Sequence, residues 1–263
     1  MNDRLAAVLA DLRAEGDQLE DLVVPLDEPG WRTPTPAAGW DVAHQVAHLA
    51  WTDEAALAAA TDRAAWDASV RAALEDPDGF VDAEAARGAA VPPGELLDRW
   101  RRARADLAEA LAALPEGTKL PWYGPPMSAT SMATARFMET WAHGRDVAAA
   151  LGVELPADDR VRHVVHLGVR TRGFAYANRG LPAPTSEVRV VLTLPSGAVV
   201  EHGPADAPAR ITGSAYDFAL VVTQRLHPED ADLVAVGEEA FEWLDLAQAF
   251  AGPSGPGREP RRG

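Results

Sequence analysis

Hydrophobic residues recur at helical spacing through the first 150 residues of the chain. In the opening segment they fall three, four or seven positions apart, on one side of a helix, at Leu5, Val8, Leu12, Leu19 and Leu22. The same periodicity predicts helices over 3–24, 40–60, 93–114 and 128–151, separated by proline- and glycine-rich connections. The segment 65–76 either continues the second helix or starts another. Four main helices with local connections are typical of a helix bundle.

The hydrophobic pattern changes after residue 155. A helical segment near 158–178 is followed by alternating apolar residues over 188–194, a "PSG" turn and two more valines, which together predict a β-hairpin. The stretch "ARITGS" is a candidate third strand, and helices are predicted at 215–225 and 237–250. We therefore predict a mostly α chain, with a four-helix bundle over 1–155 and a small α+β domain over 156–252. The tail 253–263 is rich in glycine, proline and arginine, and we expect it to be disordered.

Charge and cysteine content exclude several classes of function. The 263 residues carry a formal net charge of −16, so the chain lacks the positive surface that nucleic acids and anionic membranes require. It contains no cysteine, so any thiol chemistry needs a thiol from another molecule. The N-terminus lacks the apolar core of a signal peptide, and no apolar run reaches the length of about 18 residues that a membrane span needs. We therefore expect a cytoplasmic protein.

The second predicted helix has two distinct faces. Val42, Val46 and Leu49 lie on one stripe and form an aliphatic face that suits the core. The opposite stripe carries His44, His48, Trp51 and Ala55. Histidines four positions apart are either two half-exposed side chains near a helix start or candidate metal ligands, and the spacing alone favours the first interpretation.

The helix over 128–151 presents a polar stripe of Arg136, Glu139, His143 and Asp146, whereas Phe137 and Trp141 face the core. This stripe suits either a solvated face with ordinary surface ion pairs or the wall of a metal site. Glu139 and His143 are four positions apart and can bind one ion together. Two histidines and one glutamate form a three-ligand set with an open position, which is the pattern of catalytic rather than structural zinc sites.

Two segments resemble a known family. "TPAAGWDVAHQVAHLAWTDE" is similar to the N-terminal signature of the mycothiol-dependent maleylpyruvate isomerase family, within the wider DinB-like metal-binding superfamily. "METWAHGRDVAAALG" resembles its second signature, in which a glutamate and a histidine four positions apart complete a metal site. The resemblance covers the first 150 residues and continues weakly from "SAYDF" onward, which is similar to a C-terminal domain of actinobacterial relatives. It implies a DinB-like four-helix bundle followed by a small α+β domain.

The resemblance also implies roles for individual residues. His48, which precedes the Leu-Ala of "AHLA", would bind the metal together with Glu139 and His143. His44 stands where relatives often carry an aspartate, so we expect it to support a ligand or carry a proton without binding the metal itself. Arg225 matches an arginine after the "DF" helix of relatives and is either the group that binds a substrate carboxylate or a surface arginine.

The function that the resemblance implies is a metal-dependent enzyme, with zinc as the expected ion and a low-molecular-mass thiol as cosubstrate. It would be an isomerase or S-transferase acting on a small electrophilic molecule, with no nucleic-acid or membrane partner. One alternative keeps the metal without the thiol, in an isomerase, hydrolase or cyclase in which His44 is the acid or base. Another is a non-catalytic protein that binds a metal or a ligand. Trp122 and Tyr123 lie in a proline-rich loop that either covers a cleft or anchors itself to the bundle.

Overall fold

The computed structural model describes residues 2–255 and 257–261. It is mostly helical, which confirms the predicted fold class, and divides into two compact units, Met1–Leu155 and Pro156–Gly263. The predicted disordered tail, 253–263, includes Pro256, Arg262 and Gly263, which lie outside the described residues.

The first unit is built on four long helices with shorter ones between them. In chain order its elements are α1 (Asp3–Val23), α2 (Glu28–Trp31), α3 (Val42–Thr61), α4 (Arg63–Glu75), α5 (Phe80–Ala89), α6 (Pro93–Ala113), β1 (Lys119–Leu120), β2 (Met127–Ser128) and α7 (Ala129–Leu151). The long helices α1, α3, α6 and α7 confirm the four that the periodicity predicts, to within two residues at each end.

Side-chain caps define where these helices begin. Asn2, Asp41 and Ser128 each accept a hydrogen bond from a backbone N–H in the first turn of α1, α3 and α7. Asp62 caps α4 in the same way and separates it from α3, so the segment 65–76 belongs to a new helix. Gly152 ends α7 in the left-handed conformation, with φ of 66°.

The helix α3 lies at the centre of the first unit and packs against α5, α6 and α7, while α1 packs against α7. The approach of α5 to α3 is close enough to require a glycine, because a Cβ at Gly88 would lie 2.7 Å from the Cβ of Ala47. One buried cluster gathers around α3 and α6 at Val42, Val46, Leu49, Leu96 and Trp100. These contacts hold α3 beside α7, and the predicted metal ligands lie on these two helices.

The second unit combines short helices with a mixed sheet. It contains α8 (Arg162–Arg170), α9 (Arg172–Asn178), β3 (Val188–Thr193), β4 (Val199–His202), β5 (Ala209–Ser214), α10 (Ala215–Val222), β6 (Leu233–Val236) and α11 (Glu238–Leu246), with 3₁₀ turns at Asp159–Val161 and Pro228–Asp230. The strand order is β4-β3-β5-β6, in which β3 and β5 are parallel and the other two pairs are antiparallel. The predicted hairpin and third strand are therefore present, and β6 is an additional strand that the sequence pattern missed.

Candidate metal site

The structure brings together the three side chains that the sequence singles out as metal ligands. His48 lies on α3, and Glu139 and His143 lie one turn apart on α7. Both histidines direct Nε2 at the same carboxylate oxygen, since Oε2 of Glu139 is 3.3 Å from His48 and 3.2 Å from His143. The three ligand atoms all lie within 4.8 Å of one another, and the two imidazole rings are 4.6 Å apart between centroids.

These separations fit a small divalent cation. Ligands that surround zinc as a tetrahedron at 2.0–2.1 Å are about 3.3 Å from one another, which matches the distances from the two imidazole nitrogens to Glu139. Two imidazoles and one carboxylate are also ligands that zinc and similar ions prefer. The three side chains therefore suit the ion that the resemblance implies. A closed structural site has more protein ligands than these three.

Glu139 supplies the negative charge of this group. Burial alone would raise the pKa of its carboxyl, but hydrogen bonds and charge interactions with His143 and His48 outweigh this effect and hold the pKa well below its usual value. Glu139 is therefore ionised at neutral pH, as a metal ligand must be.

Trp40 covers the imidazole rings from one side. Its ring stacks on that of His143 at 6.0 Å with an interplanar angle of 17°, and it lies 5.4 Å from the ring of His48. The indole N–H donates to Asp82 at 2.9 Å, which fixes the orientation of the ring. Trp40 was not predicted as a site residue from the sequence, although its position directly before the histidine-bearing helix was a usable signal.

His143 has a second polar contact on the side away from Glu139. Its Nδ1 contacts Oε1 of Gln45, a fully buried residue of α3, and the amide nitrogen of Gln45 donates to Oγ1 of Thr35 at 2.8 Å. Gln45 was also missed from the sequence, because one glutamine in a helix carries no spacing signal. Nδ1 of His48 is buried and has no hydrogen-bond partner among the described residues.

His44 lies one turn before His48 but is outside the three-residue group. Its Nδ1 is 2.6 Å from Oδ1 of Asp41, so the ring donates its Nδ1 proton to this carboxylate. Burial would raise the pKa of Asp41, but hydrogen bonds from His44 and Arg32 lower it overall. The arrangement leaves Nε2 of His44 for other contacts, and its predicted role beside the metal stays a prediction.

The interpretation of α7 as a solvated face is wrong. Arg136 is only 1% exposed and donates from Nε to Oδ1 of Asp53 at 2.7 Å, instead of forming a surface pair with Glu139. Asp146, at the other end of the stripe, is 2% exposed. The polar residues of α7 therefore face the interior of the bundle, as Phe137 and Trp141 do on the other side.

The loop that carries Trp122 and Tyr123 is anchored to the bundle. Trp122 stacks on Trp66 of α4 at 5.8 Å, and Tyr123 lies 4.8 Å from the same ring. Tyr123 is also 6.3 Å from Trp51, whose ring lies 5.8 Å from that of His48. Of the two interpretations of this loop, the structure supports the anchoring role.

Comparison with known proteins assigns the family. Residues 12–148, just over half of the chain, match the family model described as the mycothiol maleylpyruvate isomerase N-terminal domain. The chain belongs to this family. Two uncharacterized proteins of Mycobacterium tuberculosis, from strains CDC 1551 / Oshkosh and H37Rv, are each 55% identical to it over 250 residues, covering 95% of this chain and 97% of theirs.

Two solved structures have the same fold as this member of the maleylpyruvate isomerase family. The crystal structure of the mycothiol-dependent maleylpyruvate isomerase superimposes with a TM-score of 0.60 at 16% identity, covering 89% of this chain and 95% of that one. A variant of that enzyme with one histidine replaced by alanine gives a TM-score of 0.59 with the same identity and coverage.

Arg225 lies in the second unit of this family member, just after α10. It is half-buried, and its guanidinium donates to the carbonyl oxygen of Thr223 at 2.6 Å. Its backbone N–H donates to the carbonyl of Leu220 at 2.7 Å. Carboxylate binding by Arg225 stays a prediction.

Among the residues that the structure describes, no helix combines the length and apolar character that crossing a membrane requires.

Proposed function

We propose that the chain is a metal-dependent enzyme that activates a low-molecular-mass thiol for attack on a small electrophilic substrate, with zinc as the metal. The observation that carries the proposal is the convergence of His48 and His143 on one carboxylate oxygen of Glu139, at distances that suit the ligands of a tetrahedral ion. Membership of the mycothiol maleylpyruvate isomerase family supports the thiol.

In this proposal His48, Glu139 and His143 hold the ion and leave a position open for the thiol or for water. The ion would lower the pKa of the bound group and keep its anion ready to attack. Glu139 would offset part of the cationic charge of the ion. Trp40 packs over both imidazoles and excludes water from that side of the site.

The thiol must come from a second molecule, because the chain has no cysteine. In an isomerisation the thiolate sulfur adds to an activated double bond, the resulting single bond rotates, and the same thiolate leaves. In an S-transfer the sulfur stays on the electrophile and the leaving group departs with the electron pair. Both reactions begin with the activated thiolate, so a metal site formed by the three ligands is compatible with either reaction.

Arg225 is our candidate for binding a carboxylate of the substrate.

A second candidate function keeps the metal and omits the thiol. The 2.6 Å contact between Asp41 and His44 favours it, because a carboxylate that accepts the Nδ1 proton orients the ring and leaves Nε2 for proton transfer. The enzyme would then be an isomerase, hydrolase or cyclase with His44 as acid or base. A non-catalytic metal-binding or ligand-binding protein is the third possibility.

One series of assays distinguishes the three candidate functions. Zinc-loaded protein is incubated with maleylpyruvate, and separately with a chloronitrobenzene electrophile, in the presence and absence of mycothiol. We expect turnover of one substrate that requires both mycothiol and zinc and is lost in Glu139→Gln. Metal-dependent turnover without a thiol would favour the second function. Stoichiometric zinc without turnover of either substrate would contradict the proposed thiol chemistry and favour the third.

A further inference from the structure

A chain of hydrogen bonds connects the backbone before α3 to His143. The hydroxyl of Thr35 donates to the carbonyl oxygen of Trp40 at 2.9 Å. The side-chain amide of Gln45 donates to the hydroxyl oxygen of Thr35 at 2.8 Å, and its carbonyl oxygen contacts Nδ1 of His143. The chain ends on the side of the imidazole opposite to Glu139.

Each link of this chain fixes the donor of the next one. A backbone carbonyl can only accept, so the hydroxyl of Thr35 gives its proton to Trp40 and presents a lone pair to Gln45. The nitrogen of the Gln45 amide must then face Thr35, which turns the amide oxygen toward His143. An amide oxygen can only accept, so Nδ1 of His143 carries a proton, and in the neutral imidazole the lone pair is then on Nε2.

The first links are held rigidly. The backbone N–H of Thr35 also donates to the carbonyl of Trp40, at 2.8 Å, and the backbone N–H of Val42 donates to the carbonyl of Thr33 at 3.1 Å. Pro34 and Asp41 form an isolated antiparallel bridge in the same segment. Gln45 itself has no exposed surface, so water does not compete for its amide.

We propose that Gln45 is a positioning residue, which keeps the proton of His143 on Nδ1 so that the lone pair of Nε2 faces Glu139. The inference rests on the proposed metal function, because that lone pair is what an ion between His143 and Glu139 would use. His48 has no equivalent support, since its Nδ1 is buried without a hydrogen-bond partner among the described residues. The two candidate histidine ligands are therefore held in different ways.

Without Gln45 the opposite tautomer is preferred. A proton on Nε2 of His143 would then point at Oε2 of Glu139, 3.2 Å away, and form a hydrogen bond with it. A metal ion would have to displace this proton before it could bind. Loss of the Gln45 acceptor should therefore move the proton and weaken metal binding together.

The competing explanation is that Gln45 only fills space beside α7. Gln45→Met keeps the length of the side chain but removes the strong acceptor, whereas Gln45→Glu keeps an acceptor for Nδ1. Thr35→Val removes the support of the amide while Gln45 stays in place. Thr134→Val is the matched control, because it deletes a buried hydroxyl of α7 whose hydrogen bond goes to the carbonyl of Thr130.

The experiment combines two measurements on the full chain. Nitrogen-15 NMR of metal-free protein in alkaline buffer, where imidazole is neutral, identifies which nitrogen of His143 is protonated. Competition with a chelator gives the dissociation constant for zinc. We expect Nδ1 protonation in wild type and Gln45→Glu, and a shift toward Nε2 in Gln45→Met with zinc binding weakened about 10–100-fold. Thr35→Val should show a smaller change in the same direction, and Thr134→Val none.

Nε2 protonation of His143 in wild type would overturn the inference, and so would an unchanged tautomer in Gln45→Met. If Gln45→Met does not fold, an unchanged tautomer in Thr35→Val overturns it instead. Failure of the metal proposal is a separate result. If wild type binds no zinc but Gln45→Met still moves the proton of His143 to Nε2, the positioning role of Gln45 stands without the metal. If wild type binds zinc tightly but Gln45→Met leaves the proton on Nδ1, only the positioning role is excluded.

Discussion

Glu139 contributes the one negative charge of the three proposed ligands, and both imidazoles contact the same oxygen of it. His44 lies one turn from His48, yet its Nδ1 is already engaged by Asp41 at 2.6 Å. This residue-scale difference separates a side chain that suits metal binding from one that suits proton transfer.

We expect His44→Gln to keep one zinc per chain and to lower turnover by about 10²–10⁴-fold, the usual contribution of a general acid or base. Asp41→Asn should show a weaker loss of turnover, because asparagine still caps α3 but no longer carries the charge beside His44. Metal content is measured by atomic absorption, and turnover is measured with maleylpyruvate and with the chloronitrobenzene electrophile. Loss of zinc in His44→Gln would show instead that His44 is a ligand.

His48, Glu139 and His143 could be predicted as metal ligands from the sequence. Helical spacing places them on polar helix faces, and the family resemblance identifies them as the ligands. Trp40 and Gln45 could not be predicted in this way. The role of Trp40 depends on how the segment before α3 folds back, and that of Gln45 on its burial against His143. Neither property has a periodic pattern along the chain.

At the scale of elements, α7 is buried on both its apolar and its polar side. Arg136 and Asp53 form an ion pair with side chains 1% and 4% exposed, and Nη2 of Arg136 has no hydrogen-bond partner among the described residues. Burial raises the pKa of Asp53 although Arg136 opposes this effect. The pair therefore connects α3 to α7 at a substantial desolvation penalty.

We predict that Asp53→Asn destabilises the protein by about 3–5 kcal/mol, because it leaves the guanidinium of Arg136 buried without a counter-charge. Urea unfolding measures the effect. The exposed pair Arg63–Asp67 is the control, and Asp67→Asn should change stability by less than about 0.5 kcal/mol. A similarly small effect of Asp53→Asn would mean that the buried pair does not hold the two helices together.

Among the elements that were not predicted from the sequence, α5 and β6 have clear physical reasons. The buried side of α5 consists of Phe80, Glu84, Ala85, Gly88 and Ala89, which is too small and too polar to give a hydrophobic period. In β6, Val234 and Val236 are exposed and alternate with the half-buried Leu233 and Ala235, so apolar side chains lie on both faces and no alternation of apolar and polar residues marks the strand. The long helices and β3 bury large aliphatic residues and were therefore predictable.

At the scale of the whole molecule, the proposed metal ligands belong to the first unit and Arg225 to the second. We predict that Arg225→Ala raises KM for a carboxylate-bearing substrate by at least about tenfold, which corresponds to a lost charged hydrogen bond, without changing zinc affinity. Arg210→Ala, at an exposed position of β5, is the control and should leave KM unchanged. Equal KM values for wild type and Arg225→Ala would exclude the proposed carboxylate contact.

Thermal unfolding with and without zinc shows whether His48, Glu139 and His143 bind a divalent ion. An ion that binds only the folded chain at 100 times its Kd adds about 2.7 kcal/mol, which should raise Tm by about 5–10 °C relative to chelator-treated protein. The double variant Glu139→Gln/His143→Asn should melt at one temperature in both buffers. If wild type also melts at the same temperature with zinc and with chelator, these three residues do not bind zinc.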